Sequence, residues 1–351
     1  MNDRNAIGGA RDTLRVAIVA DERRATRRLS LTLGQLAGRG VRGCELELIA
    51  GGGDPAAALA AGRCDLIHVC TAGALGRRAL GHGRTLGLPL LVDYDPQAPR
   101  PHYTDASAVL SPSHTADAAL ELLGIDAVRV VRWRPGVDAQ HFHPARYAPD
   151  SLPEPVPHPP AALAFNVLYV GALHRDHGTQ LLAEAFLVAR DRDPRLRLVL
   201  AGSGPEEPLL RARLGRQASF LGELASEQLA HVYASADLLV VTSGADPFGD
   251  TVLEAHASGL PVLAVDAGAP SELIENGRTG CLVAPEPPAL AAALRGLARR
   301  ATLLERLATG GLRATRERTW EASLAQLPGA YVLAAGIAGL PSATGEVARA
   351  A

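Results

Sequence analysis

The stretch Thr242-Ser-Gly-Ala-Asp246-Pro-Phe-Gly-Asp250-Thr-Val-Leu-Glu254-Ala-His-Ala-Ser-Gly-Leu-Pro-Val262 combines the end of a strand, a polar loop and a helix that carries carboxylates. Asp250 is a good N-cap residue, so a helix is predicted to begin near it, with Glu254 about one turn inside. Asp246 lies in the loop before the helix, and both carboxylates can therefore face one cleft. Such a pair suits a ligand rich in hydroxyl groups. A capped surface helix with two solvated acids is the alternative that this spacing leaves open.

Glycines follow two strand-like runs before this stretch. Residues 166–170 run into Gly171, and residues 196–201 run into Gly202-Ser-Gly204-Pro. Glycines after strands allow a phosphate to approach the backbone, and the N-terminus of a following helix offers free N–H groups to the anion. Taken alone, such turns are weak indications, because most doubly wound folds contain them.

Short apolar runs alternate with amphipathic stretches along the chain, which predicts parallel sheets with helices on both faces. The predicted strands are residues 14–20, 45–49, 66–69, 89–92, 108–111, 128–131, 166–170, 196–201, 219–221, 238–241, 261–265 and 281–283. The helical segments with the clearest pattern are residues 23–37, 115–123, 179–190 and 226–234, with Ser226-Glu227 as a cap for the last. Residues 290–335 have an almost continuous helical pattern, and the last residues are expected to fray.

Prolines concentrate between residues 133 and 160, where they end regular structure and form a stiff connector. The predicted fold class is therefore α/β, with two doubly wound, Rossmann-like domains that face a cleft. The predicted organisation is an N-terminal domain at 1–132, a linker at 133–165, a second domain at 166–318, and a C-terminal helix and tail at 319–351. Ligands of such folds bind at the carboxyl ends of the strands.

The composition limits the possible chemistry. The chain has 351 residues, with 35 basic and 37 acidic side chains, and every basic one is Arg. A lysine Schiff base, a P-loop lysine and a lysine general base are therefore excluded. The formal net charge of -2 argues against a nucleic-acid partner, which requires a basic face. Abundant Arg, Ala and Gly suggest a GC-rich bacterial genome.

The cysteines and the hydropathy favour a cytoplasmic protein. None of the four cysteines, at 44, 64, 70 and 281, forms a CxxC pair, so buried thiols are expected rather than a zinc or redox motif. The first residues lack the apolar segment of a signal peptide, and no apolar run is long enough to span a membrane. His68 is expected to be a hydrogen-bonded core residue, and no metal is expected at His141 and His143.

Nine short motifs between residues 166 and 300 resemble, in order, the donor-binding domain of the family 4 retaining glycosyltransferases, which have the GT-B fold. The motifs are Tyr169-Val-Gly, Leu200-Ala-Gly-x-Gly-Pro, Phe220-Leu-Gly222, Tyr233-Ala-x-Ala-Asp237, Pro247-Phe-Gly249, Leu253-Glu-Ala, Ala257-Ser-Gly-Leu-Pro-Val, Glu272-Leu-Ile and Gly277-Arg-Thr-Gly280. Arg134-Pro-Gly136-Val-Asp138, followed by Phe142, resembles the hinge motif of the same family.

The resemblance implies transfer of a hexosyl group, mannosyl or glucosyl, from a nucleotide-diphospho-sugar to a hydroxyl group, with retained anomeric configuration. GDP-mannose is the first donor to test and UDP-glucose the second, and the acceptor is a glycan, a lipid or a small molecule. The donor is a substrate, and neither a cofactor nor a metal is implied. Peripheral membrane association and a partner glycosyltransferase are left open.

The family also implies roles for particular residues. Glu254 binds the ribose hydroxyls, Asp246 holds the donor sugar, and Asp95 stands where the family has an active-site His; these three are the implied catalytic residues. Backbone N–H groups near Phe248 and Gly249 seat the sugar and the diphosphate. The remaining implied donor-binding residues are Gly171, Arg175, His177, Gly202 and Gly204, with Leu221 and Gly222 near the base.

The chain departs from the family where the diphosphate is neutralised. The family's Arg and Lys are replaced by Ala172 and His177, and a neutral imidazole is a poorer phosphate partner than an ammonium group. Arg175 or a protonated His177 can substitute for them, and His102 is an alternative to Asp95 as the equivalent of the family's His. In the N-terminal domain, Asp21-Glu22-Arg23-Arg24 replaces a glycine-rich loop. A catalytically impaired nucleotide-binding or scaffold protein is therefore the main alternative function, and a GT-B epimerase is a weaker one.

Overall fold

A computed structural model describes residues 13–20, 27–50, 55–59, 63–96, 98–148, 152 and 164–336. The chain divides into two compact units. The first contains the residues up to Pro112, Ala116–Arg134 and the chain from Glu321 onward, and the second contains Ser113–Thr115 and Pro135–Trp320. The start of the expected helix at 23–37, the segment 51–54, most of the proline-rich stretch and the tail beyond residue 336 lie outside the described residues.

Each unit is built on a six-stranded parallel sheet, as the alternating pattern predicts. The first sheet has the order β2-β1-β3-β4-β5-β6, and the second has the order β12-β11-β10-β7-β8-β9. The strands of the first are β1 (Leu14–Ala20), β2 (Cys44–Ala50), β3 (Leu66–Val69), β4 (Leu90–Asp93), β5 (Ala108–Ser111) and β6 (Val130–Arg132). Those of the second are β7 (Phe165–Val170), β8 (Leu196–Ala201), β9 (Ala218–Gly222), β10 (Leu238–Val241), β11 (Val262–Val265) and β12 (Cys281–Val283).

Helices connect the strands, because parallel neighbours require crossover connections. In the described residues they are α1 (Arg27–Arg39), α2 (Pro55–Ala58), α3 (Ala74–Leu86), α4 (Pro101–Thr104), α5 (His114–Leu122), α6 (Thr179–Arg192), α7 (Glu207–Leu214), α8 (Ser226–Ser235), α9 (Asp250–Ala257), α10 (Gly268–Glu272), α11 (Pro287–Leu297), α12 (Ala301–Thr315), α13 (Trp320–Leu324) and α14 (Leu327–Ala335). None of these helices is both long enough and apolar enough to cross a membrane.

Apolar side chains fill the space between each sheet and its helices. The strands that lie inside the sheets are almost completely buried, such as β3 and β5 in the first and β11 in the second. In the second unit, α6 and α11 pack together on one side of the sheet, where Phe186 and Leu294 are fully buried. Strands that are buried along their whole length are typical of parallel sheets that are covered on both faces.

The C-terminal helix and the start of the expected linker both belong to folded units. Helix α14 packs on β3, β4 and β5, and Tyr331 is completely buried there. The indole N–H of Trp133 donates to the Ser323 carbonyl at 3.1 Å within the same unit. In the second unit, Phe142 packs edge-on against Tyr233 with ring centroids 5.7 Å apart. Residues 135–148 are thus a packed part of the second unit and not an extended connector.

Two local expectations are wrong at helix starts, and one is wrong at a strand start. Helix α8 begins at Ser226, but its N-cap is Ala225, whose N–H donates to Gln228 Oε1 at 3.2 Å. Helix α9 begins at Asp250, but its N-cap is Gly249, with φ of 68°. The strand expected at 128–131 begins only at Val130, because residues 127–129 form a 3₁₀ turn.

Candidate functional site

The topology of the second sheet places a ligand crevice beside β7. The chain proceeds from β7 to β8 and β9 on one side and then crosses to β10 on the other side of β7. In open α/β sheets, ligands bind outside the carboxyl ends of the strands where the strand order reverses in this way. The loops after β7 and β10, residues 171–178 and 242–249, lie on either side of that point.

The glycines after β7 and β8 allow two loops to touch through their backbones. A Cβ atom on Gly202, with φ of 142°, would lie 2.0 Å from the Gly171 carbonyl oxygen, and one on Gly204 would lie 2.4 Å from the Leu173 oxygen. The Gly171 N–H donates to the Ala201 oxygen at 3.0 Å. The immediate reason for these glycines is therefore loop packing, and the packed loops form a fixed layer at the edge of the sheet.

The end of β9 joins the same layer. The Gly202 N–H donates to the Gly222 oxygen at 2.7 Å, and Leu221 and Gly222 are half-buried beside it. The Ser203 hydroxyl donates to Glu223 Oε1 at 2.5 Å. The residues that are expected near the base thus lie directly next to the second glycine loop.

A second contact ties the loop after β7 to the end of β10. The Thr242 hydroxyl donates to the His177 oxygen at 2.9 Å. A Cβ atom on Gly178, with φ of 71°, would lie 2.2 Å from the Thr242 oxygen. Sequence analysis did not link Gly178 with Thr242, because no local pattern connects residues so far apart in the chain. Gly178 is also the N-cap of α6, so this contact fixes where that helix begins.

Asp246 organises the loop before α9. Its Oδ1 accepts the N–H groups of Phe248 at 3.1 Å and Gly249 at 2.9 Å. Its Oδ2 makes longer contacts of 3.4 Å with the backbone N–H and the hydroxyl of Thr251. The N–H groups of Phe248 and Gly249, which were expected to seat the donor, therefore bind a carboxylate of the protein. Asp246 supplies the negative charge that a helix N-terminus favours.

Glu254 lies in the second turn of α9, as expected from the sequence. The side chain is buried, with only 3% of the residue exposed. A buried carboxylate requires hydrogen-bond partners. His256, two residues further along, is also buried, and its Nε2 lies 3.0 Å from the Thr279 oxygen. Burial lowers the pKa of His256 to about 4, so it is neutral around pH 7.

The positive charge available in this region is small. Burial, together with the neighbouring His174, lowers the pKa of His177, which is therefore largely uncharged at pH 7, although Asp246 acts in the opposite direction. Ala172 is exposed at the position where the family has Arg. Arg175 is also exposed, and within the described part of the chain it makes no salt bridge. Arg175 is therefore the guanidinium best placed to meet an anion next to α6.

The first turn of α6 already holds a carboxylate, which sequence analysis did not detect. Glu206 accepts hydrogen bonds from the Thr179 hydroxyl and, at 2.7 Å, from the Gln180 amide. The bond from Thr179 is the main cause of the lowered pKa of Glu206. This carboxylate reduces the attraction of the helix N-terminus for a second anion.

Asp95 lies in the first unit, in agreement with its expected place in the N-terminal domain. It follows β4 in the first unit, where the Tyr103 hydroxyl accepts its N–H at 2.9 Å and donates to its carbonyl oxygen at 2.6 Å. The neighbouring His102 is buried, and burial lowers its pKa. Asp246, Glu254 and the predicted donor-binding residues all belong to the second unit, at or near the carboxyl edge of its sheet.

Residues 164–300 match the family model described as glycosyl transferases group 1. The chain is 30% identical over 248 residues to a sulfoquinovosyl transferase of Arabidopsis thaliana, covering 63% of this chain and 47% of that protein. It is 32% identical over 250 residues to a GDP-mannose-dependent alpha-mannosyltransferase of Mycobacterium tuberculosis (strain CDC 1551 / Oshkosh), covering 62% of this chain and 60% of that protein. The chain thus spans about half of the length of these curated relatives.

Two solved structures align with most of the chain. HepE of Anabaena, in complex with UDP and glucose, superposes with a TM-score of 0.73 at 18% identity, covering 91% of this chain and 99% of that one. Sucrose-phosphate synthase of Thermosynechococcus elongatus has a TM-score of 0.72 at 20% identity, with coverage of 91% and 98%. At this identity the likeness establishes the fold. The chain therefore has the GT-B fold, and its residues 164–300 match the model of the glycosyl transferases group 1 family.

Proposed function

We propose that this protein is a glycosyltransferase that moves a mannosyl or glucosyl group from a nucleotide-diphospho-sugar to a hydroxyl acceptor, with retention of anomeric configuration. The observation that carries the proposal is the arrangement of Asp246 and Glu254 in a glycosyl transferases group 1 domain, around the N-terminus of α9 and beside the reversal of strand order. Carboxylates accept hydrogen bonds from vicinal hydroxyls, which both the sugar and the ribose of such a donor provide.

The hydrogen bonds of Asp246 support a role in holding the donor sugar. Oδ1 is committed to two backbone N–H groups, whereas Oδ2 has only long contacts of 3.4 Å with Thr251. Oδ2 therefore retains the capacity to accept a hydrogen bond from a sugar hydroxyl. Because the Oδ1 bonds hold the carboxylate in place, little side-chain entropy is lost when the sugar binds. Glu254, on the following helix, is assigned to the ribose.

The leaving diphosphate needs positive charge or N–H donors as the glycosidic bond breaks. We assign this task to Arg175 and to the first N–H groups of α6, whose attraction for the diphosphate is reduced by Glu206. The exposed Ala172 and the lowered pKa of His177 make this stabilisation weak at neutral pH. These two observations favour the second candidate function, a catalytically impaired domain that binds a nucleotide and acts as a scaffold or partner of another glycosyltransferase.

The relatives guide the choice of donor. GDP-mannose is tested first, because one relative is named as a GDP-mannose-dependent alpha-mannosyltransferase, and UDP-glucose is tested second, because HepE has been solved with UDP-glucose. The acceptor is a glycan, a lipid or a small molecule, and the reaction needs no metal or other cofactor in this proposal. We assign the reaction to the cytoplasm, which is compatible with four cysteines that are all free thiols.

Donor hydrolysis and hexosyl transfer test the proposal directly. The protein is incubated with GDP-mannose or UDP-glucose and candidate acceptors, released nucleotide is measured, and the anomeric configuration of the product is read by NMR. The enzyme proposal predicts turnover that is lost in Glu254→Ala and a product of retained configuration. Nucleotide binding without turnover would favour the scaffold function. The absence of binding by any nucleoside diphosphate or nucleotide sugar at millimolar concentration would contradict both.

A further inference from the structure

A buried group of metal-ligating side chains lies at the carboxyl edge of the first sheet, apart from the residues assigned to the donor. His68 and Cys70 are two residues apart at the end of β3, so they project from the same face. Asp93 ends the neighbouring strand β4, and the pairing of His68 with Leu91 and of Val69 with Val92 brings Asp93 level with Cys70. One face of two adjacent strand ends thus carries an imidazole, a thiol and a carboxylate.

The three side chains are close enough to share one ion. His68 Nε2 lies 2.8 Å from Asp93 Oδ1, and one ligand atom from each residue lies within 4.8 Å of the other two. His68 and Cys70 are 2% and 8% exposed, whereas the Asp93 side chain is 19% exposed and offers a route from solvent. Within the described residues, no other group of three such side chains meets this spacing.

We propose that His68, Cys70 and Asp93 bind a divalent metal ion of the zinc type, with one coordination position left for water. Tetrahedral zinc has bonds of about 2.3 Å to sulfur and about 2.0–2.2 Å to nitrogen and oxygen, which separates neighbouring nitrogen and oxygen ligands by roughly 3.3 Å. The pair formed by His68 and Asp93 must therefore open by about half an ångström. That change is within the range of a small side-chain rotation.

The charges of the ligand set fit a divalent ion. One thiolate and one carboxylate balance two positive charges, and the imidazole binds as a neutral ligand. The thiol proton leaves to solvent on binding. A thiolate with an imidazole selects zinc or cobalt over magnesium and calcium, which prefer ligand sets made of oxygen.

Helix α14 supplies a hydrogen-bond partner for the second ring nitrogen of His68. The Tyr331 hydroxyl lies 3.1 Å from His68 Nδ1 and is fully buried. With a metal on Nε2, the proton of His68 moves to Nδ1 and is donated to Tyr331, which orients the ring. The search for paired cysteines in the sequence could not find this site, because its ligands are of mixed type and come from two strands.

Cobalt binding tests the proposal independently of any transferase activity. The full chain is stripped of metal with a chelator, titrated with Co²⁺ under reducing conditions, and examined for a sulfur-to-cobalt charge-transfer band. We expect one equivalent to bind with that band, zinc to displace it, and Tyr331→Phe to weaken binding by roughly tenfold to hundredfold.

The variants Cys70→Ser and Cys64→Ser form a matched pair, because both thiols are buried in the same unit and only Cys70 is a proposed ligand. The band should be lost in Cys70→Ser and retained in Cys64→Ser, with folding checked by circular dichroism. If Cys70→Ser does not fold, Asp93→Asn is expected to weaken binding at least tenfold while keeping the band. A folded wild-type chain that shows no band would overturn the proposal and leave a hydrogen-bonded network only.

Discussion

The carboxyl edges of the two sheets differ in what they present, although both sheets are parallel, six-stranded and doubly wound. In the described part of the first edge, His68 and Asp93 bind each other, and Tyr331 of α14 covers them. At the second edge, loops meet backbone to backbone at Gly171 and Gly202, and Asp246 fixes the start of a helix. The shared topology identifies where ligands can bind, but the residues at each edge determine the chemistry. We infer a metal site at the first edge and a donor site at the second.

The largest change in stability is expected from adding a methyl group to a glycine at the carboxyl edge of the second sheet. Gly202→Ala places a Cβ 2.0 Å from the Gly171 oxygen, at a φ of 142° that L residues rarely adopt. The clash and the backbone strain together should lower the free energy of unfolding by roughly 3 kcal/mol or more. Chemical denaturation measures this change.

Gly87→Ala is the matched control, because its φ of 65° and ψ of 27° lie in the left-handed α region and no atom lies within 4 Å of the added Cβ. This control variant should lower the free energy of unfolding by only about 1–2 kcal/mol. Equal losses in the two variants would show that loop contact is not the reason for Gly202, and the description of a packed loop layer would be wrong.

Acidification should destabilise both units, and the second more strongly. The unfolded state binds a proton at His256 near pH 6.5, whereas the folded state does so only near a pKa of about 4. The stabilisation that neutral His256 gives to the folded state is therefore intact above pH 6.5. It is lost as the pH falls towards 4, and the free energy of unfolding decreases by about 3 kcal/mol at most. Denaturation curves between pH 7 and 4 measure it.

Replacing one buried histidine in each unit shows how much each unit contributes to the loss of stability on acidification. His256→Gln should flatten the dependence of stability on pH more than His102→Gln does, because the pKa of His102 in the first unit is also lowered, but without the large shift of His256. A larger effect from His102→Gln would reverse the order that we assign to the two units.

Adding positive charge at the carboxyl edge of the second sheet should strengthen the binding of a diphosphate there. Ala172→Arg combined with His177→Lys adds two cations at exposed and half-buried positions, and GDP affinity should rise about tenfold, as measured by calorimetry. In the wild type, affinity should also rise as the pH falls and His177 gains its proton. An unchanged affinity in the double variant would show that the diphosphate lies elsewhere.

The smallest change in stability is expected from a substitution at the carboxyl edge of the first sheet. Tyr331→Phe removes the hydroxyl that lies 3.1 Å from His68 Nδ1. Loss of one buried hydrogen bond should lower the free energy of unfolding by about 1 kcal/mol in metal-free protein. Urea denaturation in the presence of a chelator measures this change, and a loss above roughly 3 kcal/mol would mean that Tyr331 does more than anchor α14.

The sequence predicted the parts of the fold that depend on local pattern. The predominantly apolar runs at 66–69, 108–111, 196–201, 238–241 and 281–283 coincide with strands. Strands inside a parallel sheet, such as the one at 238–241, are covered on both faces and are therefore rich in apolar residues. The alternation of strands and helices predicted two doubly wound domains, and the motifs that resemble the family 4 glycosyltransferases implied the GT-B fold, which the solved structures confirm.

The details of the site depended on contacts that no local pattern encodes. Asp250 has the residue type of an N-cap, yet Gly249 takes that place, because Asp246 binds the N–H groups of Phe248 and Gly249. Glycines were predicted to admit phosphate, whereas Gly202 and Gly204 are required first by backbone contacts with another loop. The role of Glu206 at α6 rests on partners 26 and 27 residues away in sequence, so composition and periodicity could not reveal it. The individual site residues remain predictions.

Calorimetric titration of GDP and UDP into the wild type and Glu254→Gln tests most directly whether the second edge is the donor site. Loss of a charged hydrogen-bond acceptor to the ribose should weaken nucleotide binding by roughly tenfold to hundredfold, whereas Glu305→Gln, an exposed change on α12 of the same unit, should leave it unaltered. Equal affinity of the wild type and Glu254→Gln for both nucleotides would contradict the assignment of this edge to the donor.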